Sequence, residues 1–209
     1  MLFITEKPGT MKFIDTETRR TGTVSGMPRV DYGGQGGLGD VVLHPDFSQN
    51  NLVYISNVET QDGGDTFRAV VRRVRFDRFG ATPTLADAER IWTQKPNVPG
   101  QGHFSHRIAF GPDGMLYVGT GDARVRERAQ RLDNLGGSIL RITPEGAVPD
   151  DNPWPNNPIW AYGMRNPLGI AFRPDDGALF VADHGPTTEW EPRIGAFDEL
   201  NLVQKGKNY

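Results

Sequence analysis

His103 and Asp122 are the first residues in this sequence whose types and spacing could do chemistry. His103 lies in Gly102-His103-Phe104-Ser105-His106-Arg107, and Asp122 ends Gly119-Thr120-Gly121-Asp122. Between them run Ile108-Ala109-Phe110, then Gly111-Pro112-Asp113-Gly114, then Met115-Leu116-Tyr117-Val118, which reads as strand, tight turn, strand. A hairpin brings its open ends together, so the spacing predicts that imidazole and carboxylate meet. A carboxylate on one ring nitrogen fixes the tautomer and stabilises the imidazolium, which is what a general base needs. The same spacing also fits a loop histidine bonded to a backbone carbonyl. His106 is expected to point elsewhere, as a structural or surface residue.

Four further loops gather unusual residues. Gly33-Gly34-Gln35-Gly36-Gly37-Leu38-Gly39-Asp40 permits close backbone approach, to a ligand or within a glycine-rich turn. It is not a dinucleotide motif, because Val41 to Leu43 reads as strand and no helix follows. Arg165-Asn166 precedes a strand, and a guanidinium beside a carboxamide suits an oxygen-rich planar ligand or an acidic loop. Asp183-His184-Gly185-Pro186 follows a hairpin's second strand, at what looks like the position Asp122 takes in the preceding hairpin. Asp198-Glu199-Leu200-Asn201 leads to Lys205-Gly206-Lys207-Asn208-Tyr209. Carboxylates and carbonyls around tight turns suit Ca²⁺, and equally describe a solvated acidic turn. Asp150-Asp151-Asn152-Pro153 lacks EF-hand spacing and reads as a turn.

The elements that must position these loops recur along the chain. Val41–Phe47 with Leu52–Ser56, Ile108–Gly114 with Met115–Gly119, and Ile170–Gly177 with Ala178–Ala182 are each an apolar strand, a Pro-Asp turn and a second apolar strand. Their prolines stand at 45, 112 and 174. Met1-Leu2-Phe3-Ile4-Thr5-Glu6 looks like the second strand of a further copy. Ala69–Phe76 and Gly137–Thr143 read as strands between copies, and only Leu85–Arg90 and Arg124–Leu135 have helix-like composition, the second being polar and read as a surface loop or short helix. A period of roughly 60 residues with about four strands per copy predicts an all-β fold, a β-propeller holding about three blades, with a sandwich of recurring hairpins as the alternative. Propellers close with about four to eight blades, so the chain reads as one partial propeller domain over 1–209, truncated at both ends.

Composition narrows the function. A net charge of −3 offers no footprint for nucleic acid, and no apolar run is long enough to span a bilayer. The basic pairs Arg19-Arg20 and Arg72-Arg73 read as solvated faces. The N-terminus turns polar too soon for a signal peptide, and zero Cys excludes disulfides and thiolate metal sites. Gly 26 and Pro 16 suit many short strands joined by tight turns.

Taken in order, Gly34-Gln35-Gly36-Gly37-Leu38-Gly39, His44-Pro45-Asp46-Phe47, His103 with Arg107, Gly111-Pro112-Asp113-Gly114, Gly121-Asp122, Arg165-Asn166-Pro167, His184-Gly185-Pro186 and the Asp198–Tyr209 segment resemble the soluble PQQ-dependent aldose sugar dehydrogenases, relatives of soluble quinoprotein glucose dehydrogenase. The resemblance covers essentially the whole chain. It implies a six-bladed propeller, in the periplasm or secreted, that oxidises aldose sugars at C1 to lactones with PQQ as hydride acceptor and passes the electrons to a diffusible acceptor. His103 would then be the base and Asp122 its orienting partner. Gln35, Arg165 and Asn166 would hold PQQ. Gly185 and Pro186 would offer carbonyls to a cofactor Ca²⁺, and Glu199 and the Tyr209 carbonyl would serve a structural Ca²⁺. A C-terminal half of the propeller, which supplies basic residues and part of the sugar pocket, has no counterpart here. Thr187–Phe197 also separates Pro186 from Asp198 by more than the family pattern leads one to expect. A non-catalytic propeller scaffold and a Ca²⁺-dependent lactonase-like propeller remain the other two readings.

Overall fold

The computed structural model describes residues 1–60, 63–78, 82–186 and 197–209. Its Cα framework divides into two compact units, 1–101 and 102–209. No helix among the described residues is long and apolar enough to cross a membrane.

The first unit holds two antiparallel sheets. One is β1 (Leu2–Glu6), β2 (Thr10–Ile14) and β3 (Thr21–Thr23), the half-present copy expected at the N-terminus. The other is β4 (Leu38–Leu43), β5 (Leu52–Thr60), β6 (Phe67–Asp77) and β7 (Thr84–Thr93), hydrogen-bonded in that order. Met11, Phe13, Val24, Val53, Ile55, Val74, Phe76 and Leu85 form its core. β5 and β6 are buried on both faces over much of their length, which explains their continuous apolar runs.

The second unit repeats the design. β8 (Ile108–Phe110), β9 (Leu116–Thr120), β10 (Ser138–Ile142) and β11 (Ile159–Tyr162) form a four-stranded sheet, and β12 (Pro167–Phe172), β13 (Leu179–Asp183) and β14 (Glu199–Val203) a three-stranded one. Tyr117, Ile139, Ala161, Met164, Leu179, Val181 and Val203 make the core. The Tyr117 ring meets Phe172 edge-on at 4.9 Å, which ties the two sheets of this unit together.

The Pro-Asp turns form in two ways. After Pro112 and Pro174 the chain turns tightly. Asp113 accepts from the Met115 N–H at 3.1 Å and Asp176 from the Ala178 N–H at 3.1 Å, with Gly114 and Gly177 at positive φ. After Pro45 a single helical turn, α1 (Phe47–Asn50), intervenes and ends at Asn51 in the left-handed region.

One expectation of secondary structure is corrected and another holds. Leu85–Arg90 is strand, not helix: it lies inside β7, paired to β6 through Phe76–Leu85, Arg73–Glu89 and Arg72–Arg90. The ladder and the burial of Leu85 and Trp92 override the helical propensity of Ala, Glu and Arg, and Asp87 at φ 52° lies where the ladder slips between Arg73 and Arg75. Arg124–Leu135 contains only a short 3₁₀ turn over Arg126–Gln130, in line with the loop or short helix expected.

The Arg72-Arg73 pair is not simply a solvated face. Arg72 Nη2 lies 2.6 Å from Glu59 Oε2, and both side chains are only 13% exposed. The same carboxylate takes Arg68 at 2.5 Å and Arg90 at 2.8 Å. Burial alone would raise the Glu59 carboxyl, but the Arg68 hydrogen bonds and the charges of Arg90, Arg68 and Arg72 hold it below its ordinary value.

Candidate functional site

The candidate site lies in the second unit, where the loop before β8 meets the chain leaving β9. His103 Nδ1 is 2.6 Å from Asp122 Oδ1, and both residues are buried. The hairpin closes as its spacing predicts. Asp122 is acceptor-only when ionised, so Nδ1 carries the hydrogen and Nε2 the lone pair. Asp122 Oδ1 also accepts from the Arg124 N–H at 2.7 Å, and the Asp122 N–H donates to the Arg165 carbonyl at 2.9 Å.

The backbone here is strained in a way the sequence does not announce. His103, Ser105 and His106 have φ of 53°, 62° and 69°, and Ala123 and Arg124 have 53° and 63°. Each such residue costs roughly 1–2 kcal/mol, so the surroundings must enforce the shape. Asn166 Oδ1 accepts from the Ser105 N–H at 3.0 Å, the Ser105 hydroxyl donates to the Pro167 carbonyl, and Phe104 is buried as an anchor. Gly121 is required by contact: a Cβ there would lie 2.0 Å from the His103 carbonyl.

Asp183 builds the next corner. Its Oδ2 accepts from the Arg165 N–H at 2.9 Å and its Oδ1 from the Asn166 N–H at 2.7 Å, so one carboxylate aims two candidate ligand-holding residues. Burial pushes the Asp183 carboxyl up, the two backbone N–H groups oppose this, and Glu199, its partner across the ladder, adds to the rise. Asn166 is 4% exposed and spends Oδ1 on Ser105, while no described residue accepts from its Nδ2. Arg165 Nη1 donates to His184 Nδ1. A guanidinium cannot accept, so Nδ1 is the lone-pair nitrogen of His184. The Gly185 carbonyl, 2.9 Å from that nitrogen, therefore receives no hydrogen bond from it and is left suited to a cation.

Sequence reasoning missed the work of Asp183, and it misplaced the residue by two positions. Val118 pairs with Ile108 and Val181 with Ile170, four residues before Pro112 and Pro174. By that register Asp183 matches Thr120, and Gly185 matches Asp122. β13 keeps its ladder through Asp183, so the carboxylate sits on the strand end and not in the loop beyond it.

The remaining expected residues are placed separately. Gln35 belongs to the first unit, where its N–H donates to the Gln101 carbonyl at 2.8 Å. Gly37 in the same loop, at φ 101°, lets the chain pass the Lys7 carbonyl, which an added Cβ would meet at 2.2 Å. Glu199 opens β14 opposite Asp183. The Tyr209 carbonyl lies against Gly163, and its hydroxyl donates to the Leu202 carbonyl at 2.8 Å. Pro186 ends a described stretch, and segment 187–196, most of the long spacer before Asp198, lies outside the described residues. His106 is half-buried and its ring packs 6.0 Å from that of Phe104.

The sequence matches the Glucose / Sorbosone dehydrogenase family over residues 1–209. The chain belongs to that family. It is 37% identical to aldose sugar dehydrogenase YliI of Escherichia coli over all of this chain and 54% of that protein. It is 30% identical to quinoprotein glucose dehydrogenase B of Acinetobacter calcoaceticus over all of this chain and 47% of that protein. The PQQ-bound form of aldose sugar dehydrogenase from Streptomyces coelicolor superimposes with a TM-score of 0.84 at 32% identity, covering 99% of this chain and 57% of that one. The chain thus spans about half the length of the curated relatives it matches. The fold is the all-β propeller type of this glucose/sorbosone dehydrogenase family, with two four-stranded sheets and two three-stranded, partial ones among the described residues.

Proposed function

We propose that this chain carries the base-bearing part of a PQQ-dependent aldose dehydrogenase that oxidises the C1 hydroxyl of a sugar to a lactone. The observation that carries the reading is the buried His103–Asp122 pair, 2.6 Å apart in a strained loop. His103 Nε2 takes the proton of the C1 hydroxyl. Asp122 holds the ring in the accepting tautomer and stabilises the imidazolium that forms.

The donor set fits a quinone with several oxygens. Asn166 presents an amide donor from a buried position, and Arg165, its backbone N–H fixed by Asp183, presents a guanidinium held by His184. In this reading Arg165 and Asn166 hold PQQ, and Arg165 supplies fixed positive charge where negative charge develops. PQQ, when bound, is the acceptor for the hydrogen and electron pair that leave C1. The Gly185 carbonyl, with Pro186, would face a Ca²⁺, while Glu199 and the Tyr209 carbonyl would serve a second Ca²⁺. A diffusible electron acceptor and a periplasmic or secreted location belong to the same reading.

The test is dye-linked oxidation of glucose and xylose by the full-length protein with PQQ and Ca²⁺ added. Activity well above the apoprotein is expected, and no rise over the apoprotein would refute the assignment.

A further inference from the structure

The first unit contains a cavity of about 760 Å³ that the dehydrogenase reading does not use. It is lined by the Pro28–Tyr32 segment on one side and by Glu59, Thr60, Gly63 and Arg72 on the other. The volume falls within the range of small-molecule sites, roughly 300–1,000 Å³.

Its wall carries Arg29 and Arg72 with Asp31 and Glu59, and Arg68 and Arg90, outside the lining, also reach Glu59. Arg68, Arg72 and Arg90 all lie within 2.8 Å of the one Glu59 carboxylate, so three guanidiniums share a single negative charge. Arg72 donates through Nε to Asn57 and through Nη2 to Glu59, and no described residue accepts from its Nη1. Arg29 is exposed and has no hydrogen-bond or ion-pair partner among the described residues. The other acid on the wall, Asp31, is engaged by Gln101 Nε2 at 2.7 Å.

The second unit shows how this protein neutralises an arginine it needs only for structure. Arg141 is buried with two carboxylates, Asp113 at 2.9 Å and Asp151 at 2.7 Å, and has Asn152 and the Trp160 ring against it. Two carboxylates meet Arg141 there, with Lys205 on the Asp151 carbonyl, whereas at Glu59 three cations meet one carboxylate. Guanidiniums left with donor capacity at a cavity recognise planar or tetrahedral oxyanions. Tyr32, 61% exposed on the wall, adds an aromatic face for the body of such a ligand.

We propose that this cavity binds a small organic anion, its carboxylate or phosphate seated between Arg29 and Arg72. The site is independent of the sugar-oxidation reading, and its occupancy is measured without turnover. Titration calorimetry on the full-length protein would compare D-glucuronate, D-glucose 6-phosphate, inorganic phosphate and neutral D-glucose. At least one organic anion is expected to bind with Kd of about 1 mM or tighter, weakening as salt is raised and not displaced by D-glucose. Glucuronate alone would identify a carboxylate ligand, and glucose 6-phosphate with inorganic phosphate a phosphate ligand. Arg29→Glu, at an exposed position where folding is not at stake, should weaken the bound anion at least about tenfold. The proposal fails if neither organic anion binds at about 10 mM, if D-glucose displaces the bound anion, or if Arg29→Glu leaves the affinity unchanged.

Discussion

Asp122 and Glu59 occupy the same position of the repeat and do opposite things. Ile55 pairs with Val41 as Val118 pairs with Ile108, and each carboxylate lies four residues beyond its paired strand residue. β5 continues through Thr60, so Glu59 is still in the ladder, opposite Arg68, and three arginines close around it. β9 ends at Thr120, so Asp122 lies past the ladder, where a loop histidine can reach it. The lesson is that the strand's end point, more than the residue type, decides whether a carboxylate at this register becomes a structural hub or a partner for chemistry. In the third copy Gly185 holds the position and offers only backbone.

The largest effects should separate the two carboxylates by rate. His103→Ala is expected to lower sugar-oxidation kcat by at least about a hundredfold in the full-length protein, the usual loss for a general base. Asp122→Asn should cost about tenfold to a hundredfold, because Nε2 survives but its tautomer and orientation are no longer enforced. Glu59→Gln should leave kcat within about twofold, since it touches no group in the base's hydrogen-bond chain. Steady-state kinetics on the three variants checks all of this. A Glu59→Gln loss as large as that of Asp122→Asn would break the comparison.

The His103–Asp122 meeting was legible because a hairpin with a tight Gly-Pro-Asp-Gly turn leaves its ends no other place to go. The sheets were legible for a similar reason, since apolar runs flanking Pro-Asp turns repeat along the chain. What stayed hidden depends on non-local contacts. The strand state of Leu85–Arg90 comes from its ladder with β6 and not from its own propensity. The helical turn after Pro45 answers to the same motif that gives tight turns after Pro112 and Pro174. The left-handed backbone of His103, Ser105 and His106 is held by Asn166 and Pro167, about sixty residues away in sequence, which no local pattern records. Arg72 looked like a surface cation because Glu59, thirteen residues earlier, meets it only through the ladder. Asp183 resembles a second Asp122 because its segment also follows a hairpin's second strand, and only the ladder shows that Asp183 is still inside it.

Stability should reverse the ranking of the two carboxylates. Glu59→Gln is expected to lower unfolding free energy by ~1–3 kcal/mol, because three arginines lose a partly buried partner at once. Urea unfolding followed by tryptophan fluorescence measures it. His103→Ala, by contrast, takes one partner from Asp122, which keeps the Arg124 N–H, and removes no packed apolar group, so its loss should be the smaller of the two. A larger loss for His103→Ala would place the structural hub at the wrong carboxylate.

The smallest effect is in the pH profile, where Glu59 and Asp183 should show opposite signs. Glu59 is held low in the folded state. It contributes stability above the unfolded carboxylate value, and that contribution is lost as pH falls through the lower folded value. Asp183 is held high by burial. The native state then binds its proton more readily than the unfolded chain does, so its ionisation penalty is fully present above the folded value and is relieved as pH falls toward the unfolded one. Urea midpoints between about pH 3 and 7 should therefore decline less steeply toward acid in Glu59→Gln than in wild type, and more steeply in Asp183→Asn. Asp183→Asn also loses one acceptor for the Arg165 and Asn166 N–H groups, so its whole curve sits lower, and the slope, not the height, carries the test. Parallel slopes for the two variants would mean that the ladder end does not set the electrostatics of these carboxylates, and the contrast between Glu59 and Asp122 would then rest on their hydrogen-bond partners alone.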